Sequence, residues 1–315
     1  VTVQRGKVVV TGAAGSFGRV LVPHLADLGY RVVGVDRRAW PDCPPDAEFE
    51  RADILKRSFD DVLRRVRPDA VVHLAMVHRF KLSRRERHRV NFEGTARVIE
   101  AARTAGVNKI ILGSRATVYG ALPDQAQFLT EDQPPAAGRM FADMQDLVAA
   151  DLYASGMLWR HPDTEIVILR LVNVLGPRVS TLLQRYLCRP RVFTVAGFDP
   201  IYQVMHETDM AAAITCALAP GVRGVFNVTG PGEVPLHVLV EESGAVRVPL
   251  PEGLVRILRG RLGFPRIPQG AIQFLKYSCT VDGTRFREAT GFEPACDLAA
   301  TIGAVRLARE RKGRA

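Results

Sequence analysis

Residues 8–21, VVVTGAAGSFGRVL, constrain the fold more than any other stretch of this chain. A β-branched run closes at Thr11, glycines follow at 12, 15 and 18, and an amphipathic stretch begins at once over 16–28. A short apolar run bounded by glycine reads as a buried strand, and the stretch after it as a helix. The spacing G-x-x-G-x-x-G between them has a physical meaning. Gly12 permits a tight turn, Gly15 lets the backbone approach a pyrophosphate, and Gly18 lets the helix pack close to the strand. The helix N-terminus then offers N–H groups and partial positive charge to phosphate. A glycine turn alone is a weak signal; its place between strand and helix is what points to a dinucleotide. Asp36 ends the next apolar run, RVVGVD, 18 residues after Gly18. An acid there accepts hydrogen bonds from both hydroxyls of the adenosine ribose and repels a 2′-phosphate, which favours NAD over NADP. Arg37 and Arg38 keep NADP open, since either could meet a 2′-phosphate or lie in a solvated loop.

The alternation continues along the chain. Strands are expected at 7–11, 31–36, 70–74, 109–113, 166–170 and 224–228, and helices at 16–28, 58–66, 91–105 and 139–156. The first five strands are rich in Val and Ile and lie beside helical patterns, as in a parallel sheet covered on both faces. The expected fold is therefore a doubly wound α/β Rossmann domain. Beyond about residue 170, Pro and Gly become frequent (GPRVS, AGFDP, TGPGEVP, GFPRIPQG), and a smaller, looser α/β domain is expected. Residues 1–170 are assigned to NAD(P) binding, with a returning segment at about 200–228, and 171–315 mainly to substrate binding.

Composition narrows the function classes. The chain is 47% hydrophobic and 24% charged, typical of globular proteins, and no apolar run approaches the roughly 18–20 residues of a membrane span. The strand-like run at 7–10 leaves no room for a signal peptide, so a cytoplasmic location and no membrane partner are expected. Five scattered Cys, none in C-x-x-C, argue against disulfides and against a metal site. The net charge of +10 favours an anionic small-molecule ligand; no nucleic-acid-binding motif accompanies it.

Taken together, TGAAGSFG (11–18), Asp36, RADI (51–54), PDAVVHLA (68–75), VNFEGT (90–95), GSRATVYG (113–120), LRLVNVLGP (169–177), HETDMAAA (206–213), GVFNVTG (224–230) and TVDGTRFREATGFEP (280–294) resemble the extended short-chain dehydrogenases/reductases of the NAD-dependent epimerase/dehydratase family. The resemblance implies that Asp53 and Ile54 contact the adenine. Leu74 and Ala75 would line the cofactor, and Asn91 would brace the central helix and active-site loop. Ala14, Ser16, Phe17, Arg37, Met76, Leu171 and Asn173 complete the expected cofactor surroundings. Asn173 would also touch substrate in sugar-nucleotide members. A homodimer is plausible in such a family.

The same resemblance implies a catalytic Ser, a Tyr and a Lys four residues after it on one helix face. None of the six Tyr (30, 119, 153, 186, 202, 277) is followed by Lys at that spacing; the residues found are Gly34, Pro123, Met157, Pro190, His206 and Val281. The best register places Phe141 at the Tyr position, Gln145 at the Lys position and Arg115 at the Ser position, with Ser114 beside it. Ser114 and Arg115 should face opposite sides of the strand. Arg115 is either an anion clamp or a surface loop residue. Replacement proton carriers are Tyr119 and His78, each set against an ordinary structural role, as are Asp143 and Asp146. The basic run HRFKLSRRERHRV (78–90) either attracts an anion or forms a solvated helix face. LVRILRGRLGF (254–264) is amphipathic, as a lid helix would be. The Arg expected four residues before His206 in nucleotide-sugar members is Tyr202; Arg178 and Arg185 are possible substitutes. Two functions stand open. One is an epimerase-, dehydratase- or reductase-like enzyme with a rebuilt proton-transfer site, acting on a sugar nucleotide or similar anionic substrate. The other is a catalytically inactive NAD(P)-binding sensor or scaffold.

Overall fold

The computed structural model describes residues 5–77, 82–258, 260 and 268–314. Its strands, in chain order, are β1 (Arg5–Thr11), β2 (Tyr30–Asp36), β3 (Glu48–Arg51), β4 (Ala70–His73), β5 (Lys109–Arg115), β6 (Glu165–Leu171), β7 (Asn173–Leu175), β8 (Arg191–Val195), β9 (Ile201–His206), β10 (Gly224–Val228), β11 (Glu233–Pro235) and β12 (Val246–Leu250). Seven of them form one parallel sheet in the order β10-β6-β5-β4-β1-β2-β3. Its inner strands are nearly continuous Val and Ile because both faces are buried: Val8, Val9, Val10, Val71, Val72, Ile110, Ile111, Ile166, Val167 and Ile168 are each about 1% exposed or less.

The helices include α1 (Gly18–Asp27), α2 (Arg57–Val66), α3 (Arg84–His88), α4 (Gly94–Thr104), α5 (Ala137–Met140), α6 (Gln145–Arg160), α7 (Leu182–Leu187) and α8 (Glu207–Ala217). Two apolar clusters lie on the two faces of the sheet. Val8, Val10, Leu21 and Ile111 belong to one; Val9, Phe59, Ile99 and Ile110 belong to the other, as the period of two in a strand requires. After β6 the chain builds a small three-stranded sheet, β11-β9-β7, and the pair β12-β8. Between β9 and β11 it returns to the large sheet, where Gly224–Val228 pair with Val167–Leu171.

Three expectations are refined. Strand β3 is additional; it is four residues long, polar at both ends and paired on one side only. The helix expected at 139–156 is broken. Phe141 is extended (φ −132°, ψ 90°), and α6 starts only at Gln145. The helix expected at 91–105 opens with a π-turn over Arg89–Glu93, which turns buried Asn91 toward the loop after β4. Of the amphipathic stretch 254–264, residues up to Leu258 lie on a helix that begins at Glu252, and 259 and 261–264 lie outside the described residues. Among the described residues no helix is long and apolar enough to cross a membrane.

Candidate active site

The glycine turn stands at the C-terminal end of β1, where open α/β sheets bind ligands. Gly12 has φ +74°, and a Cβ there would come within 2.7 Å of the Leu74 and Ala75 backbone. A Cβ on Gly18 would come within 2.5 Å of Ala13 Cα, so only glycine lets α1 approach β1 this closely. A Cβ on Gly15 would sit 2.9 Å from the Gly12 carbonyl oxygen. No side chain caps α1 at Phe17, as suits a helix end that receives phosphate from a ligand. The turn containing Ala14 and Ser16 is therefore a cradle that side chains would fill.

Asp36, 7% exposed, closes the cradle at the end of β2 and accepts a hydrogen bond from Ala14 N at 3.2 Å. Of the two neighbouring arginines, Arg38 reaches this carboxylate, whereas the exposed Arg37 offers its carbonyl to Arg51 Nε at 3.2 Å. Asp53 Oδ1 accepts from Leu55 N, and Ile54 packs where a Cβ on Gly94 would sit. Leu74 N donates to Thr11 O, which ties the loop carrying Ala75 and Met76 to β1. Asn91 grips the same loop through both side-chain atoms, accepting from Val77 N at 2.7 Å and donating to Val77 O at 3.1 Å. Leu171 is buried at the end of β6, and Asn173 begins β7 with its amide directed at Gln203 O.

Beneath the cradle, His73 is 1% exposed between Thr11 and Thr95. Thr95 Oγ1 donates to Asn91 O at 2.5 Å, so it accepts from His73 Nε2 at 3.1 Å. His73 Nδ1 then accepts the Thr11 hydroxyl at 2.7 Å. Both ring nitrogens are satisfied in the neutral form, and burial lowers the His73 pKa to about 4.

Ser114 and Arg115 face opposite ways. Ser114 donates to Asp151 Oδ2 at 2.6 Å on α6, whereas the Arg115 guanidinium lies 5.3 Å from the Phe17 ring centre in the glycine turn. Desolvation and the nearby Arg185 charge lower the Arg115 pKa to about 10, so the group stays charged at neutral pH. Tyr119 is 1% exposed and tied into the protein: it receives Arg170 Nη1 at 2.6 Å and donates to Asn227 Oδ1 at 2.9 Å. Burial raises its pKa, with Arg170 opposing. Arg170 also holds Asp151, so Ser114, Asp151, Arg170 and Tyr119 form one buried polar chain behind β5 and β6. The sequence reading did not single out Asp151, Arg170 or His73; the available signal was an Arg inside the apolar run IVILRL.

Phe141 is 5% exposed, clustered with Ala137, Met144, Leu147 and Ala271, and a Cβ on Gly270 would overlap its ring. Gln145 is exposed, accepts from Arg84 Nη2 at 2.8 Å and donates to Gly138 O at 3.3 Å. The basic run therefore does more than face solvent. Arg87 pairs with Asp143 at 2.5 Å and His88 with Asp146 at 3.0 Å, so α3 is bound to the segment leading into α6. His78 lies outside the described residues. The space between Met76, Ser114, Arg115, Val118 and Leu147 is about 10 Å³, the lower limit for one water molecule. A larger cavity of about 240 Å³ lies away from this point, around Thr229–Glu233, Asp282 and Arg287.

A parallel sheet, a glycine cradle at the end of its first strand and an acid at the end of its second define a dinucleotide-binding α/β protein. The family model for the NAD-dependent epimerase/dehydratase family matches residues 8–229, and this chain belongs to that family. Its relatives include an uncharacterized protein of Mycobacterium tuberculosis (strain ATCC 25618 / H37Rv), 32% identical over 305 residues, covering 91% of this chain and 80% of the relative. The UDP-glucose 4-epimerase of Mycolicibacterium smegmatis is 33% identical over 324 residues, covering 94% and 96%. Among solved structures, MoeE5 in complex with UDP-glucuronic acid and NAD superposes with a TM-score of 0.78 at 23% identity, covering 98% of this chain and all of that one.

Proposed function

We propose that this chain binds NAD(H) between the Gly12–Gly18 turn and Asp36, and that it handles an anionic ligand of the nucleotide-sugar class without a Tyr–Lys proton relay. The observation that carries the reading is the glycine cradle, whose three Cβ positions are sterically closed and whose rim ends on a buried acid. The bound dinucleotide would supply hydride transfer. The chain's own residues bind and orient. Asp36 would hold the adenosine ribose, Asn91 fixes the loop at Val77, and Arg115 stands beside Phe17 to receive an anionic group. Neither Phe141 nor Gln145 gives or takes a proton, and the Tyr119 phenol is engaged with Arg170 and Asn227. Residues 171–315, apart from the returning segment at about 200–228, are read as the substrate-binding part. A homodimer fits with Leu152 and Trp159, 49% and 89% exposed on α6.

A second reading, a non-catalytic cofactor-binding sensor or scaffold, draws support from the apolar packing of Phe141 and the minimal space beside Arg115. Calorimetric titration with NAD(H) tests the shared core: wild type binds and Gly15→Asp does not. If wild type takes up neither NAD(H) nor NADP(H), the proposal fails. Hydride transfer with a panel of UDP- and dTDP-sugars, followed by nicotinamide absorbance, separates the two readings.

A further inference from the structure

The cavity of about 240 Å³ opens where β10 ends, between the turn Thr229–Glu233 and the segment that carries Asp282 and Arg287. In the large sheet β10 stands four strand steps from β1, about 19 Å at ordinary strand spacing. The space is therefore separate from the glycine cradle. Its volume falls below the roughly 300–1,000 Å³ of pockets for drug-sized ligands, so a dinucleotide or a nucleotide sugar does not fit and a small molecule does. Glycines shape its walls. A Cβ on Gly230 would overlap the Val204 carbonyl, and one on Gly283 would overlap the Thr229 side chain, whereas one on Gly232 would meet nothing within 4 Å.

The lining carries unused hydrogen-bonding capacity of both signs. Gln203 is buried and fully engaged: its Nε2 donates to Glu233 Oε1 at 2.9 Å and to Val281 O at 3.0 Å, and its Oε1 accepts Val281 N at 2.8 Å. Glu233 Oε2 has no further partner among the described residues, nor has Asp282 Oδ2, since Thr284 engages only Oδ1. On the donor side, Arg287 gives Nη1 to Thr229 Oγ1 at 3.3 Å and pairs with no carboxylate among the described residues. The N–H groups of Gly230 and Gly232 likewise have no partner there. Phe128 completes the lining. It is 53% exposed, and its backbone is held at φ +55° while its N–H donates to Thr280 Oγ1 at 3.0 Å. A bulky residue kept in that conformation at a cavity edge points to a role there. We propose that this cavity binds a free α-amino acid with an apolar side chain. The ligand carboxylate meets Arg287 and the glycine N–H groups, its ammonium meets Glu233 and Asp282, and its side chain lies on Phe128. A group of one charge alone would leave the opposite set of lining atoms unmatched.

Calorimetric titration of the full chain with L-leucine, L-methionine and L-phenylalanine tests this, each set beside its decarboxylated amine and its deaminated acid. At least one amino acid binds saturably, and its amine and its acid each bind at least about tenfold more weakly, the size of one charge-assisted contact. Arg287→Gln and Glu233→Gln each lose at least about tenfold. Gly232→Leu, whose side chain enters open space, abolishes binding by filling the cavity. The surface control Arg31→Ala follows wild type. Circular dichroism and thermal melting confirm that each variant is folded. The proposal is overturned if wild type binds none of the three amino acids, if the amine or the acid binds as tightly as its parent, or if G232L keeps wild-type affinity. D-glucose binding in their place also overturns it, since a sugar uses the same acceptors without either charge.

Discussion

Arg170 donates to both oxygens of Asp151, Nη2 to Oδ1 at 2.6 Å and Nε to Oδ2 at 3.2 Å, with side chains 3% and 0% exposed. The pair joins β6 to α6 and carries Ser114 on one side and Tyr119 on the other. Breaking such a pair from one side leaves a buried charge uncompensated, at a cost of about 3–5 kcal/mol. D151N should therefore lower unfolding free energy by that amount in urea titration. Pairing it with R170M should recover part of the loss, because the unmatched cation is gone. A single-variant loss below about 1 kcal/mol, the ordinary size for a point substitution, would contradict this account.

His73 makes stability depend on pH. Its folded pKa is about 4, below the ordinary 6.5, because the neutral ring is buried between Thr11 and Thr95. Above pH 6.5 both folded and unfolded forms are neutral and the full stability is present. Between 6.5 and about 4 only the unfolded chain takes up the proton, so stability falls as the pH drops. The difference corresponds to about 3 kcal/mol in total. Urea midpoints measured across this window should move downward with acidity, and H73N should flatten that slope. An equal slope in H73N would assign the effect to other groups.

Gly18 tests the cradle by a single methyl group. The added Cβ of G18A meets backbone, Ala13 Cα and O at 2.5 Å and Gly12 O at 2.6 Å, and no flexible side chain can yield. The helix must move off β1, which carries the phosphate-facing N–H groups with it. G18A should weaken NAD(H) binding by at least about tenfold and lower stability by about 1–3 kcal/mol, the cost of overpacking. Wild-type affinity in calorimetry would show that the turn does not set the cofactor geometry.

The fold was legible where local pattern and tertiary role agree. Val-rich strands buried on both faces announce themselves, and the opposite facing of Ser114 and Arg115 follows from the period of two. Strand β3 was not legible because an edge strand of sequence EFER needs no apolar run. The break at Phe141 was not legible either. No Pro or Gly falls between 139 and 144, and Phe141 packs against Gly270, 129 residues away, which no local pattern reveals. The basic run reads as a solvated face for the same reason. The partners of Arg84, Arg87 and His88 lie 56 to 61 residues further along, beyond any local pattern. The absence of a Tyr-x-x-x-Lys motif, by contrast, needs no structure, since no Tyr in the chain is followed by Lys at the fourth residue.

Arg115 carries the last prediction. It places a guanidinium beside Phe17, and the neighbouring Arg185 charge helps lower its pKa to about 10. Two positive groups placed together repel each other, and an anion between them relieves that repulsion as well as forming its own hydrogen bonds. The charge is complete at neutral pH and is lost only as the pH rises through about 10. R115A should therefore weaken binding of UDP or a UDP-sugar by about 10- to 100-fold, the value of hydrogen bonds to a charged group. It should also reduce the dependence of that binding on salt. NAD(H) affinity should change less, because Asp36 and the glycine turn are untouched. Calorimetry at two ionic strengths reads all three quantities. Unchanged UDP binding in R115A, with NAD(H) binding intact, would show that Arg115 does not clamp the anion.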